Sequence, residues 1–192
     1  AGAGKKVIVE FGSANPTGPV HIGNARGGPL GDVIASLLEA TGSQVTREYY
    51  VNDVGGQIVS LGKSILCHRF PEKGTVEEPG YVGSYVMELA ERARLNRPEL
   101  SEAEELGKFG MDEMMKEIWV TCDEMGVYFE SRVSEKDILE NYTPRILEKL
   151  EEKGVTVRKE GAVWLATNDQ FLEDRECVLV RSDGRPTYFA ND

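Results

Sequence analysis

A carboxylate, a hydroxyl, two amides and an imidazole fall together in EFGSANPTGPVHIGNARGG, residues 10–28: Glu10, Ser13, Asn15, His21 and Asn24, with Gly23 between the last two. An imidazole and an amide three residues apart share one face of a first helical turn, where backbone N–H groups and nearby glycines suit phosphate. Donors placed there could stabilise charge developing on a phosphate during reaction. Glu10 also has a plainer reading, a solvated residue at a strand end, and His21 could merely start a helix.

The elements around this stretch must hold it in place. KKVIVEF (5–11) is a short β-branched run of buried-strand type. From Leu30 the residues Leu30, Val33, Ile34, Leu37 and Leu38 form one helical stripe, and Gly42 stands where a left-handed cap belongs. QVTREYYV (44–51) reads as a second strand, and GQIVSLGKSIL resumes helical spacing. Strand, helix, strand, helix is the pattern of a parallel α/β sheet, and ligands of such sheets gather beyond the carboxyl ends of the strands. Residues 10–28 lie at such an end. Neither GxxxxGK[ST] nor GxGxxG occurs, so this is neither a P-loop nor a dinucleotide fingerprint. Pro29 favours a helix starting at itself. A start at Ile22 requires a kink there, and the early start is the one expected.

Asn52, Asp53 and Gln57 in YVNDVGGQI sit either at the rim of the site or, for Asn52–Asp53, at the cap of the next helix. Arg26 has two readings, a phosphate contact or a partner for Glu39. Residues 70–83 are a Pro/Gly/Glu-rich loop. Ser101 with Glu104 reads as a capping box opening a helix whose Met111, Met114, Met115, Ile118, Cys122 and Met125 form a core stripe. Thr143 and Pro144 read as N-cap and first residue of a helix ending at Gly154. Glu160–Gly161 and Asp183–Gly184 mark hairpin turns, and the terminal TYFAND reads as a strand.

The bulk numbers bound the partners. The chain has 192 residues, 40% hydrophobic and 29% charged, enough for one sizeable core. Lys plus Arg total 22 against 33 Asp plus Glu, a net charge of -11. A free-standing nucleic-acid binder carries a basic surplus, so this chain is not expected to grip RNA or DNA strongly by itself. No run of about 18 apolar residues and no signal-peptide pattern appears, so a membrane is not expected and the cytoplasm is. Cys67, Cys122 and Cys177 form no CxxC pair and are expected as reduced thiols, with no tightly bound metal. The opening at Ala1 without methionine, and an end inside an apparent strand, are expected of a piece cut from something longer.

Three motifs in order, VEFGSANPTGPVHIGNARG, TREYYVNDVGGQI and VLVRSDGRPTYFAND, resemble arginyl-tRNA synthetase, a class I aminoacyl-tRNA synthetase. The resemblance runs along essentially the whole chain and is weakest over 67–127. It implies an α/β fold: a class I synthetase Rossmann-type parallel sheet, incomplete here, with a mainly helical insertion. The implied division is residues 1–66 for the first half of the catalytic domain, 67–175 for the insertion with a short hairpin, and 176–192 for the start of the second half. The implied reaction is activation of L-arginine by ATP, entering as its Mg2+ complex, to arginyl-adenylate, followed by transfer to tRNA(Arg).

The resemblance also implies residue roles. His21 matches the first histidine of the HxGH motif and would contact ATP phosphates, while Gly23 would let adenine or ribose approach the backbone. Asn24 stands in place of the second histidine; an amide donates a hydrogen bond but carries no acid proton. The E-F-x-S-x-N pattern would bring Glu10 and Ser13 to the arginine ammonium or side chain and Asn15 to its carboxylate or ammonium. Y-x-x-x-D adds Tyr188 and Asp192. A carboxylate matched to a planar guanidinium discriminates against lysine by bidentate geometry. The KMSKS-type loop and the tRNA-contacting domains of the family do not occur in these 192 residues, so the piece alone is expected to be inactive. Two other readings stand beside this one: a stand-alone relative that binds a nucleotide or amino acid without catalysis, and another HxGH nucleotidyltransferase.

Overall fold

The computed structural model describes residues 2, 4–72, 80–166 and 177–191. The chain divides into two units, Ala1–Ser134 and Glu135–Asp192. In the first, β1 (Lys6–Glu10), β2 (Gln44–Val51) and β3 (Ser131–Ser134) form a parallel sheet in that order, with Glu10 opposite Glu48 and Glu48 opposite Ser131. The crossover from β1 to β2 carries α1 (Ile22–Ala25) and α2 (Gly27–Ala40). The return to β3 runs through α3 (Gly56–Arg69), α4 (Ser84–Asn96) and α5 (Ala103–Glu124).

The helix begins at Ile22, and the break falls at Arg26, which closes α1 and opens α2. Pro29 then sits in the first turn of α2, where its missing N–H would have had no partner in any case. Both sequence signals are thereby satisfied by two helices in place of one kinked helix.

Burial departs from the periodicity in two places. The stripe on α2 is exposed, Leu30 at 63% and Leu37 at 62%, while Gly28, Gly31 and Ala35 are the buried face. Small residues face inward because α2 lies close on the end of β1: a Cβ on Gly31 would stand 2.1 Å from Cγ of Phe11. β1 is likewise not a buried strand. It pairs only with β2 among the described residues, and Ile8 is exposed.

Two cores hold the first unit. Leu61 and Ile65 of α3, Val86, Leu89, Ala90 and Ala93 of α4, and Leu106 and Met114 of α5 form one. Tyr49, Ile118 and Cys122 form the other, with Met115, Trp119, Met125 and Phe129 packed against them. The methionine stripe of α5 is therefore packing material, as its spacing suggested. α5 starts one residue later than the capping box implied: Glu102 is the N-cap, and no side chain caps it.

In the second unit, α6 (Glu135–Asp137), a π-helical turn (Ile138–Tyr142) and α7 (Thr143–Glu152) precede β4 (Thr156–Lys159), β5 (Ala162–Leu165) and β6 (Val178–Val180), an antiparallel sheet. Tyr142, not Thr143, is the N-cap of α7. The Thr143 hydroxyl instead donates to the Ile138 carbonyl at 3.2 Å, which removes it from capping. Glu160 and Gly161 both have positive φ (54° and 77°), the signature of a two-residue hairpin. Gly184 is left-handed after Asp183, and Val180 bridges Pro186. The terminal segment is not a strand: α8 spans Tyr188–Asn191. Propensity of Thr-Tyr-Phe for strands loses there to local turn bonding, with the Ala190 amide on the Thr187 carbonyl at 3.0 Å.

Candidate active-site cleft

The loop leaving β1 turns at Gly12, whose φ of 71° suits a residue without a side chain. Phe11 anchors the start of the loop against Phe129, ring centroids 4.8 Å apart, and Pro16 is fully buried further along. Two tyrosine hydroxyls hold the backbone between them. Tyr49 of β2 donates to the Ala14 carbonyl at 3.0 Å, and Tyr85 of α4 donates to the Thr17 carbonyl at 3.2 Å. Burial pushes the Tyr49 phenol well above its ordinary range, so it stays a donor at any physiological pH.

At the strand end, the Ser13 hydroxyl donates to Oε1 of Glu10 and accepts the Tyr50 amide at 3.0 Å. Ser13 thus ties the Glu10 carboxylate to β2. Asn15 is reached by Nδ2 of Asn52 at 3.3 Å on its Oδ1. Gln57 folds back to the carbonyls of Asn52 and Val54, at 3.3 and 3.4 Å, and so fixes the turn that carries Asn52. Asp53 takes the Ser134 hydroxyl at 2.7 Å. The N-cap of α3 is Gly55, so neither Asn52 nor Asp53 is the cap.

His21 is the N-cap of α1, in extended conformation, and its Nδ1 accepts the Gly23 amide at 3.1 Å. With Nδ1 used as an acceptor, the proton of the neutral ring resides on Nε2, leaving that atom as a donor. Gly23 is tight against this ring: a Cβ there would lie 2.9 Å from Cε1. Arg26 is exposed. Glu39, one of its two suggested partners, is held by Arg47 at 2.7 Å.

Ala14, Asn15, Thr17, Gly18, Pro19, His21, Asn24, Tyr81 and Tyr85 enclose a cleft of about 430 Å³. The structure therefore brings Asn15, His21 and Asn24 to one cleft, with Glu10 at the end of β1 and Ser13 on the loop that follows. Tyr188 opens α8 in the second unit, and Asp192 lies outside the described residues. Sequence reasoning missed Tyr49, Tyr81 and Tyr85. Tyr81 lies in the segment before α4 and Tyr85 in its first turn, so no helical periodicity marked them as a pair. No cluster of three metal-ligating side chains and no helix long and apolar enough to cross a membrane occurs among the described residues.

Comparison with known proteins decides the family. The model of class I (R) tRNA synthetase catalytic domains matches residues 1–192. The chain belongs to the arginyl-tRNA synthetase family. The arginine–tRNA ligase of Syntrophotalea carbinolica is 41% identical over 203 residues, covering 100% of this chain and 36% of the relative. Among solved structures, a candidate arginyl-tRNA synthetase from Campylobacter jejuni superposes with a TM-score of 0.84 at 35% identity, covering 100% of this chain and 44% of that one. The Thermus thermophilus arginyl-tRNA synthetase gives 0.73 at 25% identity, covering 100% and 35%. The chain thus spans about 36% of the length of the curated arginine–tRNA ligases it matches. What it contains is catalytic-domain sequence of an arginyl-tRNA synthetase, on a mixed α/β frame with a parallel sheet.

Proposed function

We propose that this chain supplies the loop on which L-arginine and ATP are brought together for arginyl-adenylate formation, as part of a cytoplasmic enzyme that charges tRNA(Arg). The observation that carries the reading is the convergence of Asn15, His21 and Asn24 on one cleft, with Glu10 and Ser13 at its approach. ATP enters with its Mg2+, and the arginine carboxylate attacks the α-phosphate. One P–O bond forms, the bond to pyrophosphate breaks, and pyrophosphate leaves as an anion. No proton has to be delivered in that step. Donors suffice, which is why Asn24 in the place of a histidine is chemically tolerable. His21, with Nδ1 engaged by Gly23, offers Nε2–H to a phosphate oxygen, and the Asn24 amide offers a second donor.

Glu10 is the proposed partner of the arginine cation, held ready by Ser13. Charge-assisted bonds of this kind contribute roughly 1.5–3 kcal/mol each. A carboxylate left unpaired by a wrong amino acid loses comparable amounts, and that asymmetry brings about 10⁴-fold discrimination within reach. Asn15 is proposed for the arginine carboxylate or ammonium, and Tyr188 and Asp192 join the list on their motif alone. The family's modular plan, with an insertion over 67–175, is part of the same reading.

The test is a thermal-shift titration with a non-hydrolysable arginyl-adenylate mimic against the lysyl compound. Stabilisation by the arginyl mimic alone, about 2.7 kcal/mol at a hundredfold excess over Kd, supports the reading if Glu10→Ala abolishes it. Equal shifts from both mimics, or an unchanged shift in Glu10→Ala, would sink it.

A further inference from the structure

The helical segment between β2 and β3 does more than fill the interval between strands. Its first turn of α4 reaches back to the nucleotide loop at one point, the Tyr85 hydroxyl on the Thr17 carbonyl at 3.2 Å. The ring of Tyr85 lies directly over Gly18, where a Cβ would meet its hydroxyl oxygen at 3.4 Å and its Cζ at 3.5 Å. Contact and hydrogen bond therefore act on adjacent residues of the loop, three to four positions ahead of His21.

Tyr85 is itself firmly seated. The Tyr81 amide donates to the Ser64 hydroxyl of α3 at 3.2 Å, and a Cβ on Gly80 would stand 1.9 Å from the Ser60 Oγ. Val86, next in sequence, is fully buried in the core shared by α3, α4 and α5. Tyr81 and Tyr85 both pack against that core, so the segment carrying Tyr85 is tied to α3 at residue 81 and to the loop at Thr17. On the other side, Tyr49 grips the loop at Ala14 from the sheet. The two anchors divide the loop: Ala14 lies beside Asn15 and the Glu10–Ser13 pair, and Thr17 lies on the approach to His21 and Asn24.

The geometry points to Tyr85 as a positioning residue for the His21–Asn24 end of the loop, coupling the helical segment to ATP handling while Tyr49 secures the arginine end. The inference rests on the proposed function for its kinetic consequence but not for its structural one. Tyr85→Phe is the appropriate variant, because it keeps the ring over Gly18 and removes only the donor.

Two readouts on the full-length protein test it. Hydrogen exchange of the amides from Thr17 to Asn24 should accelerate in Tyr85→Phe, while exchange in α4 and α5 stays at the wild-type rate. In arginine-dependent ATP–pyrophosphate exchange with tRNA(Arg) present, kcat/KM for ATP should fall about tenfold, the effect of losing one well-made hydrogen bond, with KM for arginine unchanged. Unaltered exchange in the loop overturns the assignment whatever the kinetics. So does an equal loss toward both substrates accompanied by faster exchange throughout α4. Accelerated loop exchange in a protein that does not activate arginine would uphold the positioning role and overturn the proposed function instead.

Discussion

The His21 ring closes over the start of its own helix, with Nδ1 accepting the Gly23 amide at 3.1 Å and Cε1 only 2.9 Å from where a Gly23 Cβ would be. The glycine of this motif thus leaves room for the imidazole of its neighbouring histidine. Gly23→Ala must displace the ring or the turn. ATP affinity should fall by about tenfold, the effect of weakening one hydrogen bond to a charged group. Isothermal titration with ATP checks this; an unchanged Kd would mean the ring position is immaterial.

Glu10→Gln keeps the size of the side chain and its capacity to accept from Ser13, but removes the charge. Affinity for the arginyl-adenylate mimic is expected to drop by 1.5–3 kcal/mol, roughly 10- to 150-fold. Ser13→Ala should have a smaller effect on the same titration, because it frees the carboxylate without neutralising it.

Helices α3 and α5 meet through glycine. A Cβ on Gly62 would lie 1.7 Å from the Ala103 carbonyl oxygen, and one on Gly107 would lie 2.2 Å from that of Ile58. Backbone cannot yield as a flexible side chain does, so Gly62→Ala must push the helices apart. A loss of about 3 kcal/mol or more is expected, at the upper end of overpacking effects, read from the urea midpoint.

Arg47 binds Asp32, Glu39 and Glu130, linking β2 to α2. Its hydrogen bond holds the Glu39 carboxyl below the usual carboxylate range. Lys116 does the same for Glu113, with Arg92 assisting. A depressed folded pKa contributes stability that is present above the unfolded value and is lost as pH falls through the folded one. Thermal stability should therefore decline below about pH 4.5. Arg47→Ala should lower Tm at neutral pH, and the gap from wild type should narrow as the pH is taken below that point. A gap independent of pH would assign Arg47 a packing role alone.

Much of the site was legible from the order of residues. Strand, Gly-rich bend and helix follow from β-branched runs, glycines and helical spacing, which are local properties. Gln44–Val51 and the Glu160–Gly161 turn needed nothing beyond the chain near them. Nor did the gathering of Asn15, His21 and Asn24, which lie close together in the chain from the loop after β1 into α1.

Tertiary structure decided what periodicity could not. The apolar stripe of α2 looked like a core face, yet the helix turns Gly28, Gly31 and Ala35 inward, because the separation from Phe11 admits only small residues. Spacing names a face but not the distance at which it packs. Ser131–Ser134, too short and polar to read as a strand, becomes one by pairing with β2. Tyr49 and Tyr85 reach the loop from 35 and 68 residues away, and each bears on a backbone carbonyl. Carbonyls are the same at every position, so a sequence carries no mark of which one a distant hydroxyl will choose. The sequence by itself determined which groups are available for chemistry; only the folded chain decided which side chains keep them in place.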